Sequence, residues 1–234
     1  ESKGQTMGAL AIGPVFWALM ALASAAAAAY GLYFLQRPPT FVRALVKTAF
    51  MGAAAGALVS AGAPFPLVAA IAFSAIGDLF LAFKSKWTLP LGILAFLLAQ
   101  LTYVVIFTAI WFFSGDNSPL LPRYIAMGAV IATAVVFLIW MAPKLGWMAL
   151  GVVPYAIAIT GMGVAAMWLP WVGWPAMLGA VLFLASDFVL AAELFRLPAD
   201  APVRRVTAPI VWWTYVAAQA LIIWGVITLI QAGG

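Results

Sequence analysis

Residues 89–113 read LPLGILAFLLAQLTYVVIFTAIWFF, an apolar run with no charged side chain and only Gln100, two Thr and one Tyr to interrupt it. About 20 such residues in helical form cross the hydrocarbon core of a bilayer. Inside that core the backbone must satisfy its own hydrogen bonds, which leaves a helix as the only conformation for a lone segment. This stretch therefore predicts a transmembrane helix. Seven further runs resemble it: Gly8–Leu35, Phe41–Ala61, Pro66–Phe83, Leu121–Met141, Trp147–Trp168, Pro175–Phe195 and Thr207–Gln231. Breaks such as Arg37-Pro38-Pro39 and Arg196-Leu197-Pro198 end helices, because Pro disfavours the helical conformation in the residue before it. The expected fold is all-α: a polytopic integral membrane bundle of about eight transmembrane helices. Residues 8–231 would form a single transmembrane domain after a short N-terminal tail, 1–7. Glu1 stands first in place of Met, so the amino end is expected to be trimmed. Gly8–Leu35 is too long for the core of a signal peptide and is read as a retained first helix.

Composition agrees with that reading. The 234 residues are 67% hydrophobic and 7% charged, with a mean hydropathy of +1.15. A soluble domain carries about 25% charged residues, so this chain has too few to cover itself in water. It has no cysteine and no histidine. Disulfides, thiolate nucleophiles, a Ser-His-Asp triad and the common zinc sites are excluded together. Catalysis would rest on carboxylates, Lys, Tyr, Ser or a carboxylate-bound metal. A di-Asp Mg²⁺ site would need more oxygen ligands than the sequence assigns, so neither a metal site nor a cofactor is expected.

The net charge of +5 is spread over short loops, and membrane topology explains it better than nucleic acid does. Eight basic residues (Arg37, Arg43, Lys84, Lys86, Lys144, Arg196, Arg204 and Arg205) fall on one side of the alternating loops, and Lys3 and Arg123 on the other. Lys47 lies just inside the second helix from the basic side. The positive-inside rule then puts both termini on the non-cytoplasmic face. Trp87, Trp168, Trp171, Trp174, Trp212 and Trp213 stand near predicted helix ends, as an interfacial belt would. The expected location is the bacterial inner (cytoplasmic) membrane, as a multi-pass protein.

Six acids remain to be sorted. Glu1, Asp116 and Asp200 fall in terminal or loop segments, and Glu193, three before Arg196, reads as half of a helix-end pair. Asp78 and Asp187 differ, because each sits inside an apolar run: Phe73-Ser74-Ala75-Ile76-Gly77-Asp78-Leu79-Phe80-Leu81 and Leu182-Phe183-Leu184-Ala185-Ser186-Asp187-Phe188-Val189-Leu190. Asp78 precedes Lys84 by about 9 Å of helix rise, Asp187 precedes Arg196 by roughly 14 Å, and Lys47 lies about 6 Å beyond Arg43. All three share one layer in the cytoplasmic half of the bundle. Ionisable groups inside a membrane cost roughly 3 kcal/mol or more if they face lipid, so they mark a cavity or a site. Ser74 shares a helix face with Asp78, Gln100 with Tyr103, and Tyr215 with Gln219. Ser186 precedes Asp187, and Tyr155 follows Pro154. Taken singly, Tyr, Ser and Gln more often join helices by hydrogen bonds; gathered around two acids they point to a polar cavity.

At these residues the chain resembles the YhhN family of membrane proteins, whose characterised members are lysoplasmalogenases. The likeness runs in order through Val46-Lys47-Thr48, Ser74-Ala75-Ile76-Gly77-Asp78, Ala95-Phe96-Leu97-Leu98-Ala99-Gln100-Leu101-Thr102-Tyr103, Gly179-Ala180-Val181-Leu182-Phe183-Leu184-Ala185-Ser186-Asp187 and Tyr215-Val216-Ala217-Ala218-Gln219-Ala220-Leu221-Ile222. One departure is that the family usually has His where this chain has Gln100. The resemblance implies cleavage of the vinyl ether bond of a lysoplasmalogen, a lysophospholipid drawn from the membrane lipids, to a fatty aldehyde and a glycerophospho-alcohol.

The residue inventory suits that reaction. A vinyl ether hydrolyses by proton addition to carbon, and water captures the oxocarbenium ion that results. The parts needed are an acid that holds a proton near neutral pH and a carboxylate to steady the cation or activate water. Asp78 and Asp187 are the candidate catalytic residues. The candidate substrate-binding residues are Lys47, Ser74, Gln100, Tyr103, Tyr155, Ser186, Tyr215 and Gln219. Two readings compete. A proton-coupled transporter of small molecules or lipids would use the same buried Asp, but no two-fold repeat is evident. An aspartyl intramembrane protease would want Gly where Ala75 stands and a Tyr before Asp187. Oligomeric state is not written in the sequence.

Overall fold

The computed structural model describes residues 10–83, 85–115, 120–198 and 200–233. The expected tail 1–7, Gly8, Lys84 and Asp116 lie outside them. Among the described residues the elements are α1 (Pro14–Ala29), α2 (Phe41–Ser60), α3 (Phe65–Leu81), α4 (Thr88–Ser114), α5 (Leu120–Leu145), α6 (Ala149–Ala166), α7 (Trp174–Phe195) and α8 (Arg204–Gly233), with no strand. Six helical segments are long and apolar enough to cross a membrane. One of them, Leu120–Ala166, is a 47-residue run that holds both α5 and α6. Gly146 divides it: its φ of +51° is cheap only for glycine, and a 3-10 turn, Gly146–Met148, follows. At 17 residues, α3 falls just short of the length expected of a span.

Local chemistry sets these boundaries. Pro stands in the first turn of α1, α3 and α7, where its missing N–H goes unneeded. Thr40 caps α2 by accepting a bond from the Arg43 amide at 3.1 Å. The expected first helix is not one uniform element. Its regular part ends at Ala29, and the turn Tyr30–Phe34 is a π-helix. A π turn adds a residue to the helical repeat and re-aims the side chains that follow.

Helix contacts run in the order α1, α2, α3, α4, α6, α7, α8, and the π turn touches α8 to close the ring. In that closure the Tyr30 and Trp212 rings lie 4.4 Å apart. α5 packs outside the ring against α6 and α7. Polarity is inverted relative to a water-soluble protein. Leu94, Val105, Val136, Ile139 and Leu150 are exposed, whereas Ser74, Asp78, Gln100, Ser186, Glu193 and Gln219 are buried. Only a lipid surround makes that distribution favourable. The chain is a multi-pass membrane protein.

Trp212 departs from the expected aromatic belt. Trp87, Trp171, Trp174 and Trp213 are exposed, but Trp212 is 3% exposed. Its indole N–H donates to the Ala27 carbonyl at 3.1 Å, so it joins α8 to α1 inside the bundle.

Helices α7 and α8 approach closely at their small residues. A Cβ on Gly179 would meet the Ala218 carbonyl at 2.7 Å, and one on Gly225 would strike the Ala176 backbone. Small residues permit such contact, and in lipid close packing replaces the hydrophobic drive that joins helices in water. Gly225→Val is therefore expected to lower stability by about 1–3 kcal/mol, the range for overpacking a filled interface. Thermal unfolding of purified protein in detergent checks this, with Gly52→Val as control, since a Cβ on Gly52 meets nothing within 4 Å. Equal melting temperatures for the two variants would disprove the seam.

Candidate active site

Within the ring lies a cavity of about 660 Å³, walled by the π turn, α2, α3, α4, α7, α8 and the segment between α7 and α8. Lys47, Asp78, Ser186, Asp187 and Tyr215, all singled out by sequence, line it. Lys47 Nζ stands 3.1 Å from Asp78 Oδ1, and Tyr215 Oη donates to Asp78 Oδ2 at 2.8 Å. The buried Asp78 carboxylate thus has one partner for each oxygen, from α2 and from α8. Asp187, on α7, accepts instead from Tyr155 Oη of α6. Among the described residues no cation pairs with it. Both carboxyl groups line the same cavity.

Ser186 faces the same cavity but donates to the Val211 carbonyl at 2.9 Å, which ties α7 to α8 beside Asp187. Ser74, Tyr103 and Gln219 do not line the cavity. They form a buried chain: Tyr103 Oη donates to Gln219 Oε1 at 2.7 Å, Gln219 Nε2 donates to Ser74 Oγ at 3.1 Å, and Ser74 Oγ donates to the Ala70 carbonyl at 3.0 Å. That chain lies one helical turn from the Asp78–Tyr215 bond, since Ser74 precedes Asp78, and Gln219 follows Tyr215, by four residues. It joins α3, α4 and α8 as an interhelical clasp. Gln100 is fully buried, and neither of its amide atoms has a hydrogen-bond partner among the described residues.

Several cavity residues were not singled out in sequence. Tyr30 enters the wall at the start of the π turn, near the Arg43 guanidinium (5.2 Å) and the Lys47 ammonium (6.0 Å). Trp212 backs it. Glu193 is a correction. Expected to pair with Arg196 at a helix end, it is buried in the cavity wall and accepts from Thr207. Arg196 turns away to the Trp140 carbonyl and ring. The link from α7 to α8 brings Thr207 back over Glu193, a contact that helix spacing cannot show.

The mouth is basic. Arg37, Arg43, Arg204 and Arg205 line it, together with Gln36 and Asp200. Arg43 bonds the Phe34 and Ala82 carbonyls at 3.1 and 3.0 Å, and Arg204 bonds the carbonyls of Glu193, Leu197 and Pro198. These two close off helix ends. Arg37 lies over the Tyr33 ring at 3.5 Å. Among the described residues no three His, Cys, Asp or Glu side chains gather as metal ligands.

The family model described as the YhhN family matches residues 41–226. Lysoplasmalogenases of Mycobacterium bovis and Mycobacterium tuberculosis are each 32% identical to this chain over 213 residues, covering 83% of this chain and 78% of theirs. No solved structure matches it.

The ion pair generates a stability test. Lys47→Met leaves a buried carboxylate without its cation, a change that costs about 3–5 kcal/mol when the survivor stays charged. Lys47→Met/Asp78→Asn removes both charges and is expected to be clearly more stable than Lys47→Met alone. Unfolding in detergent measures the difference. A double variant no more stable than the single one would show that the pair does not hold α2 to α3.

Proposed function

The chain belongs to the YhhN family, and from that premise we propose that it cleaves the vinyl ether bond of a lysoplasmalogen by acid catalysis within the Asp78–Asp187 cavity. It is a lysoplasmalogenase-like hydrolase. The observation that carries the mechanism is the unequal partnering of the two acids. Asp78 has a lysine and a tyrosine on its two oxygens, an arrangement that favours the ionised carboxylate. Asp187 has a tyrosine donor and, among the described residues, no cation, and so is the group suited to carry a proton.

Asp187 donates that proton to the vinyl carbon remote from oxygen, and the ether oxygen shares the cation that forms on its neighbouring carbon. Asp78 steadies this cation across the cavity. Water then adds to the cationic carbon and gives up a proton, which restores Asp187. The hemiacetal collapses to a fatty aldehyde and the glycerophospho-alcohol. Water is consumed, one C–O bond is lost, and no redox change occurs. Tyr155 and Tyr215 are positioning residues in this scheme, each fixing one carboxyl. The guanidinium groups at the mouth suit the phosphate of the headgroup. The Ser74–Gln219–Tyr103 chain supports the floor, and Gln100 belongs to that buried layer.

Topology follows from the same reading. The bundle is proposed to cross the membrane eight times as one domain, 8–231, in the bacterial inner membrane, with both termini outside the cytoplasm and the cavity mouth facing it.

The chemical test compares aldehyde release from a lysoplasmalogen and from its acyl counterpart. Asp78→Asn and Asp187→Asn are each expected to lose roughly 100-fold or more in kcat, as when a general acid or base is deleted. The double variant should be little worse, since parts of one catalytic unit are non-additive. Gln100→Met should fall far less. Full turnover by Asp187→Asn would end the scheme. For topology, reporter fusions beside Lys86 are expected to score cytoplasmic and fusions at the carboxyl end external; the same side for both would refute eight crossings.

A further inference from the structure

Asp187 is a shared wall. On its far side from the charged cavity lies an apolar crevice of about 60 Å³, between the first turns of α4 and α6 and the last turns of α7. Leu81, Phe96, Leu190 and Leu194 border both spaces, so the crevice adjoins the cavity. Ile93, Val152 and Ala191 are among its own lining, and Tyr155 and Asp187 bring the only polar side chains among the described residues. Leu194, on its border, is 40% exposed.

The proposed substrate has the same division. Its phosphate and glycerol are polar, its chain is apolar, and the vinyl ether stands where the two meet. A chain turned into the main cavity would lie against Lys47, Glu193 and the arginines. Drawing it out of lipid through water would cost about 0.8 kcal/mol per methylene. We propose, resting on the vinyl ether reading, that the crevice is a lateral portal: the hydrocarbon chain passes beside Asp187, past the first turns of α4 and α6 and the last turns of α7, and its remainder stays in the bilayer. The headgroup then fills the basic cavity, and the bond to be cleaved falls beside the acid. At about 60 Å³ the crevice holds only a short piece of the chain. It is thus a passage rather than a measuring pocket, and chain length beyond the first few carbons is not selected.

The test uses full-length protein in lipid nanodiscs, with 1-butenyl and 1-hexadecenyl lysophospholipids as substrates. Ala191→Trp, which fills the passage, is expected to lower the long-to-short ratio of kcat/KM by about tenfold or more. Leu94→Trp, equally bulky on the exposed outer face of α4, should leave that ratio unchanged. An unchanged ratio in a folded Ala191→Trp protein overturns the portal. A second measurement avoids the variant. A non-cleavable hexadecyl lysophospholipid with a diazirine on the fourth chain carbon is photolysed with wild-type protein and the adducts are mapped. Adducts on Ile93, Val152 or Ala191 support the portal; adducts confined to α1, α2 and α8 overturn it. Failure of the reading beneath looks different: neither substrate would release aldehyde from wild-type protein, whatever the adduct map shows.

Discussion

The ion pair between Lys47 and Asp78 is the constraint around which the bundle is arranged. A carboxylate about four-fifths of the way along an apolar helix has no water to turn to, so its partners must come from other helices. Lys47 brings α2 and Tyr215 brings α8. Tyr215 also packs against the Phe50, Phe96 and Phe183 rings, which extends that one contact to α2, α4 and α7. The cavity above the pair follows: helices drawn together at a charged layer, and crowned by arginine, cannot close over it with apolar side chains.

A second polar layer behaves differently. Tyr103, Gln219 and Ser74 satisfy one another in a closed sequence of donors and acceptors. Complete satisfaction suits a clasp, whereas a site keeps capacity for something else. Asp187 sits in the wall with a single tyrosine donor and the rest of its carboxyl open to the cavity. The close backbone contact of α7 and α8 supports this contrast, because it holds Asp187 and Tyr215 on adjoining helices.

Much of this was legible in the sequence. Hydrophobic runs fix helix ends to within a few residues for α2, α3, α4 and α7, since proline and charge mark the boundaries there. Asp78, Asp187 and Lys47 stand out because nothing else charged interrupts the runs around them, and equal depth places them together. Tyr30 was hidden, because a π turn changes which way a side chain points without altering composition. Glu193 was misread for want of the α7–α8 connection, which carries Thr207 back to it. Trp212 looked interfacial because position along a helix gives depth but not facing. Ser74, Tyr103 and Gln219 were grouped with the acids by spacing, yet four residues along a helix is a full turn deeper, beyond the cavity floor.

The cations around the cavity have a bearing on how long such a catalyst would last. Fatty aldehydes condense with free amines and add to thiols. The chain has no cysteine, and the cationic side chains lining the cavity are arginines, with Lys47 as the one amine among the described residues. Guanidinium is a poor partner for imine formation, and the Lys47 nitrogen is engaged as an ammonium against Asp78. The groups that would hold a lipid phosphate are thus also groups with which an aldehyde product would not readily condense, so the ion pair that organises the bundle would also shield its one cavity amine, among the described residues, from such a product.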